Sequence, residues 1–154
     1  MPPVITRESP LGPDLTQLMQ RHTADMHADT PPESIYMMDA GQLAVADVSF
    51  YVMRDGGKPV AMGAFKKLDA SHAEIKSMHV LAEARGRGLS RLMLTHLVAE
   101  AAAAGLTRLS LETGIQPTFV AARALYEKAG FARCDAFEGY WNDPNSVFMT
   151  RELA

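Results

Sequence analysis

The chain has 154 residues, of which 47% are hydrophobic and 21% charged. This length and composition predict one globular domain with a sizeable core and exclude a disordered chain. The formal net charge of −3 argues against general nucleic-acid binding and against attachment to an anionic membrane. With a single cysteine, no signal peptide and no apolar run long enough to span a bilayer, we expect a cytoplasmic protein without an internal disulfide.

The first half of the chain predicts a strand, two helices and three further strands. These elements, in chain order, are a strand at 4–8, helices at 13–29 and 34–44, and strands at 48–54, 58–68 and 73–81. Leu15, Leu18 and Met19 have helical spacing in the first helix, and the prolines of residues 30–34 separate it from the second. The Asp-Gly-Gly sequence at 55–57 favours a tight hairpin turn because its glycines tolerate positive φ.

The second half alternates helices and strands. A helix runs from Leu89 to Gly105 and is followed by a strand at 108–113. A second helix opens at Pro117 or Thr118 and ends at Gly130. Two strands follow, at 132–137 and 146–153. The whole order, β-α-α-β-β-β-α-β-α-β-β, predicts an α/β (α+β) fold in which about four helices flank a mixed sheet of about six to seven strands. Because no linker or repeat interrupts this order, residues 1–154 are expected to form a single domain.

Residues 85–90, RGRGLS, lie where a strand passes into a helix. Glycine is a poor helix former, and arginine near a helix N-terminus faces the positive end of the dipole. Free backbone N–H groups without nearby Cβ atoms form a cradle for an anion, which would neutralise these charges. The residues fit neither the P-loop nor the dinucleotide fingerprint, so phosphate binding and a plain tight turn with solvated arginines both remain open.

These residues resemble the pyrophosphate loop, Q/R-x-x-G-x-G/A, of the GNAT superfamily of acyl-CoA-dependent N-acyltransferases, with Ser90 at the last small position. AEIKSMHV before the loop and ALYEKAGF after it resemble the superfamily's central strand and its Tyr-bearing last helix. PPES, EIKSM, LETG and DPNSVFM are similar to a poorly characterised bacterial branch, which usually has Arg at the position of His79. Phe119 stands where many members carry Asn, so one hydrogen bond of the site is expected to be absent.

The resemblance implies a site for acetyl-CoA as co-substrate and no metal. The sheet would splay between the strands at 73–81 and 108–113. Pantetheine would pair like an added strand with the backbone of Met78, His79 and Val80. The pyrophosphate would bind the backbone N–H groups of the loop, which consists of Arg85, Gly86, Arg87, Gly88, Leu89 and Ser90.

Glu74 is the candidate general base. It stands eleven positions before Arg85, the offset at which several superfamily members carry a glutamate base. A carboxylate in a partly closed cleft can have a raised pKa and take a proton from an ammonium group. In the alternative interpretation, Glu74 pairs with a nearby lysine such as Lys76 or holds the substrate amine. Glu112 on the neighbouring strand is the rival carboxylate, as base or as a substrate contact.

Tyr126 is the candidate general acid. By resemblance, its phenol in ALYEKAGF points from the helix towards the thioester sulfur, where the departing thiolate needs a proton. The alternative is an aromatic side chain at helical spacing that packs under the sheet. The five histidines have no metal-ligand spacing, and Cys134 lies far from the motifs, so direct attack in a ternary complex is expected.

His27, Glu33 and Ser34 are the candidate acceptor-binding residues. They flank the Pro-Pro break at 31–32, which joins the two helices that roof the acceptor side in this superfamily. Glu33 suits a cationic amine, and His27 suits a carboxylate on the same molecule. The alternative is helix punctuation, with Ser34 as an N-cap.

The sequence therefore predicts an N-acetyltransferase that acts on a primary amine of a small molecule, with amino-acid-like amines among the candidates. A protein N-terminus or lysine remains open as the acceptor, as does a CoA-binding sensor without turnover. A nucleic-acid module built on ARGRG is disfavoured by the acidic balance. The chain is compatible with a homodimer.

Overall fold

Seven strands and four α-helices make up the computed structural model, which describes residues 2–153. The strands are β1 (Val4–Arg7), β2 (Val48–Asp55), β3 (Lys58–Lys67), β4 (His72–Val80), β5 (Arg108–Gly114), β6 (Ala132–Cys134) and β7 (Ser146–Glu152). The helices are α1 (Thr16–Asp29), α2 (Ala40–Leu43), α3 (Leu89–Ala103) and α4 (Val120–Lys128). Four short 3₁₀ turns lie at Pro13–Leu15, Pro32–Ser34, Ala82–Ala84 and Pro117–Phe119. The predicted fold class and element order are confirmed.

One sheet contains all seven strands in the order β1-β2-β3-β4-β5-β7-β6. Every neighbouring pair is antiparallel except β4 and β5, which are parallel because α3 crosses over between them. These two strands pair over three positions only, residues 72–74 with residues 108–110. Beyond Glu74 they separate, so the sheet is splayed at its two central strands.

A β-bulge in β4 lies beside this separation. The register against β3 shifts so that Ser77 and Met78 together oppose Gly63, and Ser77 has a φ of +57°. A Cβ on Gly63 would lie 2.9 Å from Cγ of Met93, so the glycine allows α3 to pack closely against the sheet. Bulges bend a strand and increase its local twist, and this one lies on the part of β4 that turns away from β5.

The predicted second helix is the main element that differs. Residues 35–39 are not helical, and α2 covers only Ala40–Leu43. Asp39 begins it with a capping box, since its Oδ1 accepts from the Gln42 N–H at 2.7 Å and its own N–H donates to Gln42 Oε1 at 2.8 Å. The Tyr36 carbonyl accepts a hydrogen bond from Lys76 Nζ at 3.2 Å, a tertiary contact in place of a helical one.

The core lies between the sheet and the helices. Leu89, Met93, Leu94, Leu97 and Ala101 form the buried face of α3, and Leu15 and Leu18 are buried at the start of the chain. β6 ends at Cys134, three residues earlier than predicted. Within residues 2–153, no helix is both long enough and apolar enough to cross a membrane.

Candidate active site

A cavity of about 130 Å³ fills the gap between the diverging β4 and β5. Side chains from α1, β4, β5, α4 and the segments around Tyr36 and Tyr140 reach its walls. They include His22, Met26, Tyr36, Met37, Glu74, Lys76, Glu112, Tyr126 and Tyr140. The structure thus brings Glu74, Glu112 and Tyr126 together in one cavity.

Glu112 is a half-buried carboxyl on β5. Its Oε2 accepts a hydrogen bond from Ser146 Oγ at 2.8 Å. Burial raises the pKa of Glu112 to about 7, and the hydrogen bond from Ser146 offsets only part of this effect. A carboxyl that titrates near neutral pH has the pKa at which a general base is most efficient.

Glu74 is engaged by two neighbours. Lys76 Nζ lies 3.1 Å from Glu74 Oε2, and the Tyr140 hydroxyl donates a hydrogen bond to the same oxygen. Lys76 Nζ also donates to the Tyr140 hydroxyl at 2.7 Å. Burial and then the charge of Glu74 raise the pKa of Tyr140, so its phenol stays protonated. We call these three side chains, Glu74, Lys76 and Tyr140, the ion-pair unit.

Tyr126 is a buried phenol on α4. Burial, followed by the charge of Glu112, raises its pKa to about 12. Its ring packs edge-on against Phe131 at a centroid distance of 6.1 Å. Tyr126 therefore packs in the core and also lines the cavity, and its role as the general acid stays a prediction.

The loop at residues 85–90 has the backbone of an anion cradle. Gly86 and Gly88 have φ values of +82° and +74°, and a Cβ at either position would meet nothing within 4 Å. No side chain caps the first turn of α3, so its N–H groups remain available to a ligand. Arg85 pairs with Asp25 at 2.8 Å and Arg87 with Asp55 at 2.9 Å.

The edge of β4 that faces β5 has no strand partner beyond Glu74 within the residues that the structure describes. Met78, His79 and Val80 lie on this stretch. His79 is buried, and its Nδ1 lies 3.8 Å from Asp25 Oδ2. Burial lowers the pKa of His79, and burial together with the neighbouring His79 lowers the pKa of His22 to about 4. The two rings are 5.3 Å apart.

The three residues proposed from the Pro-Pro break lie outside the cavity walls. His27 and Glu33 are exposed to solvent. Ser34 is buried and accepts a hydrogen bond from Asn145 Nδ2 at 3.2 Å, which joins the 3₁₀ turn to the segment before β7. These contacts favour a structural role for Ser34.

Tyr36 and Tyr140 are the wall residues that sequence reasoning missed. Tyr140 reaches Glu74 across 66 positions of the chain, and no local pattern signals such a contact. Lys76 was foreseeable, because residues two apart on a strand point to the same face.

No group of three His, Cys, Asp or Glu side chains in residues 2–153 could hold a metal ion.

The splayed sheet, the glycine loop before α3 and the carboxyl–phenol cavity define an acyl-CoA-dependent acyltransferase architecture. The family described as Acetyltransferase (GNAT) family matches residues 14–131. An uncharacterized N-acetyltransferase of Bacillus subtilis, YsnE, is 40% identical over 142 residues, which cover 92% of this chain and 94% of the relative. A protein of Azospirillum brasilense named IAA acetyltransferase is 40% identical over 154 residues, 97% of each chain. This protein therefore belongs to the GNAT acetyltransferase family and is an N-acetyltransferase.

Solved structures agree with this fold. A candidate acyl-CoA N-acyltransferase of Klebsiella pneumoniae is 28% identical, with a TM-score of 0.81 over 99% of this chain and 98% of its own. A GNAT family acetyltransferase of Elizabethkingia anophelis, solved with acetyl-CoA bound, is 18% identical, with a TM-score of 0.72 over 98% of each chain. The resemblance to GNAT enzymes seen in the sequence is confirmed.

Proposed function

We propose that this protein transfers the acetyl group of acetyl-CoA to a primary amine of a small molecule, by direct attack in a ternary complex. The observation that carries the proposal is the shared cavity of Glu112 and Tyr126, a carboxyl that titrates near neutral pH beside a phenol that keeps its proton. The cavity has a volume of about 130 Å³, which suits an amine-bearing head group.

The residues fit acetyl-CoA as the donor. The N–H groups at residues 85–90 suit the pyrophosphate, since Gly86 and Gly88 leave open space before the first turn of α3. The edge of β4 around Met78, His79 and Val80 that faces β5 has no strand partner within the described residues, and the Val80 carbonyl accepts a hydrogen bond from the Arg85 side chain at 3.1 Å. This edge suits the amide groups of pantetheine, which can pair with it as an extra strand does. Neighbours of this fold from Elizabethkingia anophelis and Salmonella typhimurium hold acetyl-CoA, which supports the same donor here.

Glu112 is the general base of this proposal. An amine reaches the cavity as an ammonium ion, and its proton passes to the Glu112 carboxylate, directly or through a water molecule. The neutral nitrogen attacks the thioester carbonyl carbon, and the C–S bond breaks. Tyr126 gives its proton to the departing thiolate, and the second proton of the attacking nitrogen returns through water to the Tyr126 phenolate. Glu112 suits this role better than Glu74, whose carboxylate is already engaged by Lys76 and Tyr140.

Direct attack agrees with the position of the single cysteine. Cys134 ends β6 and is not among the residues that form the cavity, and burial raises the pKa of its thiol. A raised pKa makes the nucleophilic thiolate scarcer at neutral pH. An acetyl-cysteine intermediate is therefore disfavoured, and both substrates must be bound at once.

Release of CoA from acetyl-CoA, measured over a panel of primary amines, tests the proposal. For an accepted amine, kcat/KM should rise with pH through about 7, and this rise should vanish in Glu112→Gln. Glu33→Gln, the same change at an exposed site outside the cavity, is the control and should keep the profile. Tight acetyl-CoA binding without CoA release for any amine would refute the enzymatic proposal and favour a sensor.

A further inference from the structure

Lys76 is the one lysine or arginine among the cavity-forming residues that the structure describes. Its ammonium group has three N–H donors. Three acceptors surround it: Glu74 Oε2 at 3.1 Å, the Tyr140 hydroxyl at 2.7 Å and the Tyr36 carbonyl at 3.2 Å. The side chain is only 13% exposed. A ligand therefore finds no unused donor on this lysine.

The other cations near the cavity are equally committed. His22 lines the cavity but is neutral at pH 7, because burial and His79 lower its pKa to about 4. Arg21, its neighbour on α1, pairs with Glu83 at 2.8 Å. Arg85 pairs with Asp25, and Arg123 Nη1 donates to the Gly114 and Gln116 carbonyls at 2.6 and 3.2 Å. The charged groups on the cavity wall itself are thus the Glu74–Lys76 pair, whose charges cancel, and Glu112, which is neutral or negative.

Much of the remaining wall is aromatic and apolar, while the hydroxyls of Ser77 and Thr113 also line the cavity. Tyr36 and Tyr140 meet edge-to-face with ring centroids 5.0 Å apart. Met26 and Met37 complete the lining next to them. Thioether and aromatic surfaces pack well against a hydrocarbon or aromatic body, and they offer nothing to a carboxylate.

We infer that the acceptor end of the cavity selects primary amines that have an apolar or aromatic body and no carboxylate beside the amine, and that the ion-pair unit determines this selectivity. The inference rests on the proposed function, since it assigns the acceptor to this cavity. A carboxylate entering here would lose its hydration, find on the cavity wall no cation without a partner and be repelled by ionised Glu112. An ammonium group is instead attracted by the ionised carboxylate of Glu112.

Matched ligands separate charge from size. Phenethylamine, phenylalaninamide and phenylalanine share the same primary alkylamine with a phenyl ring. Phenethylamine has no further group on the carbon next to the nitrogen, phenylalaninamide has a neutral amide there, and phenylalanine has a carboxylate. Binding of each is measured by calorimetry to the full chain saturated with CoA, so that the result does not depend on turnover. We expect phenylalanine to bind at least about tenfold more weakly than phenylalaninamide.

Three other binding results overturn the inference. Equal or tighter binding of phenylalanine refutes the selectivity, and so does the absence of binding by all three ligands. If phenylalanine and phenylalaninamide both bind more weakly than phenethylamine by the same factor, the size of the added group, and not its charge, causes the selectivity. Selective binding without CoA release would instead refute the proposed acetyl transfer and leave the selectivity standing.

Glu74→Gln tests the ion-pair unit itself. The variant removes the charge that neutralises Lys76, so the ratio of phenylalanine to phenylalaninamide affinity should shift about tenfold towards the acid. Glu33→Gln is the matched control and should leave the ratio unchanged. Tyr140→Phe, which keeps the Glu74–Lys76 pair but removes one acceptor from Lys76, should shift the ratio in the same direction by less. An unchanged ratio in folded Glu74→Gln protein would refute the role of Lys76.

Discussion

The carboxyl of Glu112 leads to a prediction in which activity and stability change in opposite directions. Glu112→Gln removes the ionisable group and keeps an oxygen that can accept the hydrogen bond from Ser146 Oγ. If Glu112 is the base, kcat/KM should fall by about 10²-fold or more, within the range of general base catalysis. The same substitution should stabilise the protein above neutral pH, because an ionised carboxylate in this position is partly shielded from water.

The size and sign of the stability change follow from the pKa. Folding raises the pKa of Glu112 from the ordinary value of 4.5 to about 7, so the folded chain holds this proton more tightly than the unfolded chain. Below pH 4.5 the group is neutral in both states and contributes no penalty. The penalty grows between 4.5 and about 7 and is complete above that range. At 1.36 kcal/mol per pKa unit it amounts to at most about 3 kcal/mol.

Thermal unfolding of both proteins across this pH range, together with CoA release, gives the measurement. We expect no difference in melting temperature near pH 4.5 and a gain of roughly 5–10 °C for Glu112→Gln near pH 8. Glu74→Gln is the matched control, and it should lose stability near pH 8, since it leaves Lys76 buried without its counter-ion. A Glu112→Gln protein that is fully active, or less stable than wild type near pH 8, would refute the assignment of Glu112.

Three further predictions concern the phenol, the loop and the Pro-Pro break. Tyr126→Phe should lower kcat by about 10²-fold with an unchanged KM for acetyl-CoA, while Tyr51→Phe, a buried phenol outside the cavity, should leave kcat unchanged. Gly88→Glu should abolish acetyl-CoA binding in calorimetry, whereas Gly105→Glu, at the other end of α3 with a similar φ of +85° and equally open surroundings, should retain it. Ser34→Ala should lower the free energy of unfolding by about 1 kcal/mol in denaturant titration and leave the acceptor KM unchanged, because its hydroxyl contacts Asn145 and not the cavity.

The fold was predictable from local patterns because residues with clear turn and capping preferences mark the ends of its strands and long helices. Gly105 and Gly130 end α3 and α4 with positive φ, and the Asp-Gly-Gly turn joins β2 to β3. The segment at 35–39 was not predictable in the same way. Its residues have adequate helical spacing, but Lys76 and Asp143 bind Tyr36 from distant parts of the chain. Tertiary contacts outweigh such a weak local preference.

The candidate site was predictable in its residue types and less so in their roles. Tyr126 was identifiable from its motif, and both glutamates from their strands. Spacing cannot show which carboxylate has a lysine partner, and the ion pair with Lys76 is what separates Glu74 from Glu112. One signal did exist: β5 is a central strand, so a carboxyl at its middle loses part of its contact with water.

The arginines of the loop before α3 have partners in the chain itself. Their position at a helix N-terminus suggested an anion from outside, yet Asp25 and Asp55 already provide carboxylates to Arg85 and Arg87. These ion pairs are about half exposed, and such pairs contribute roughly 0–1 kcal/mol each, so a pyrophosphate can displace them at little cost. The charges alone therefore do not require a ligand. The stronger indication is the backbone, because positive φ at Gly86 and Gly88 and an uncapped helix start leave a row of N–H groups with open space before them.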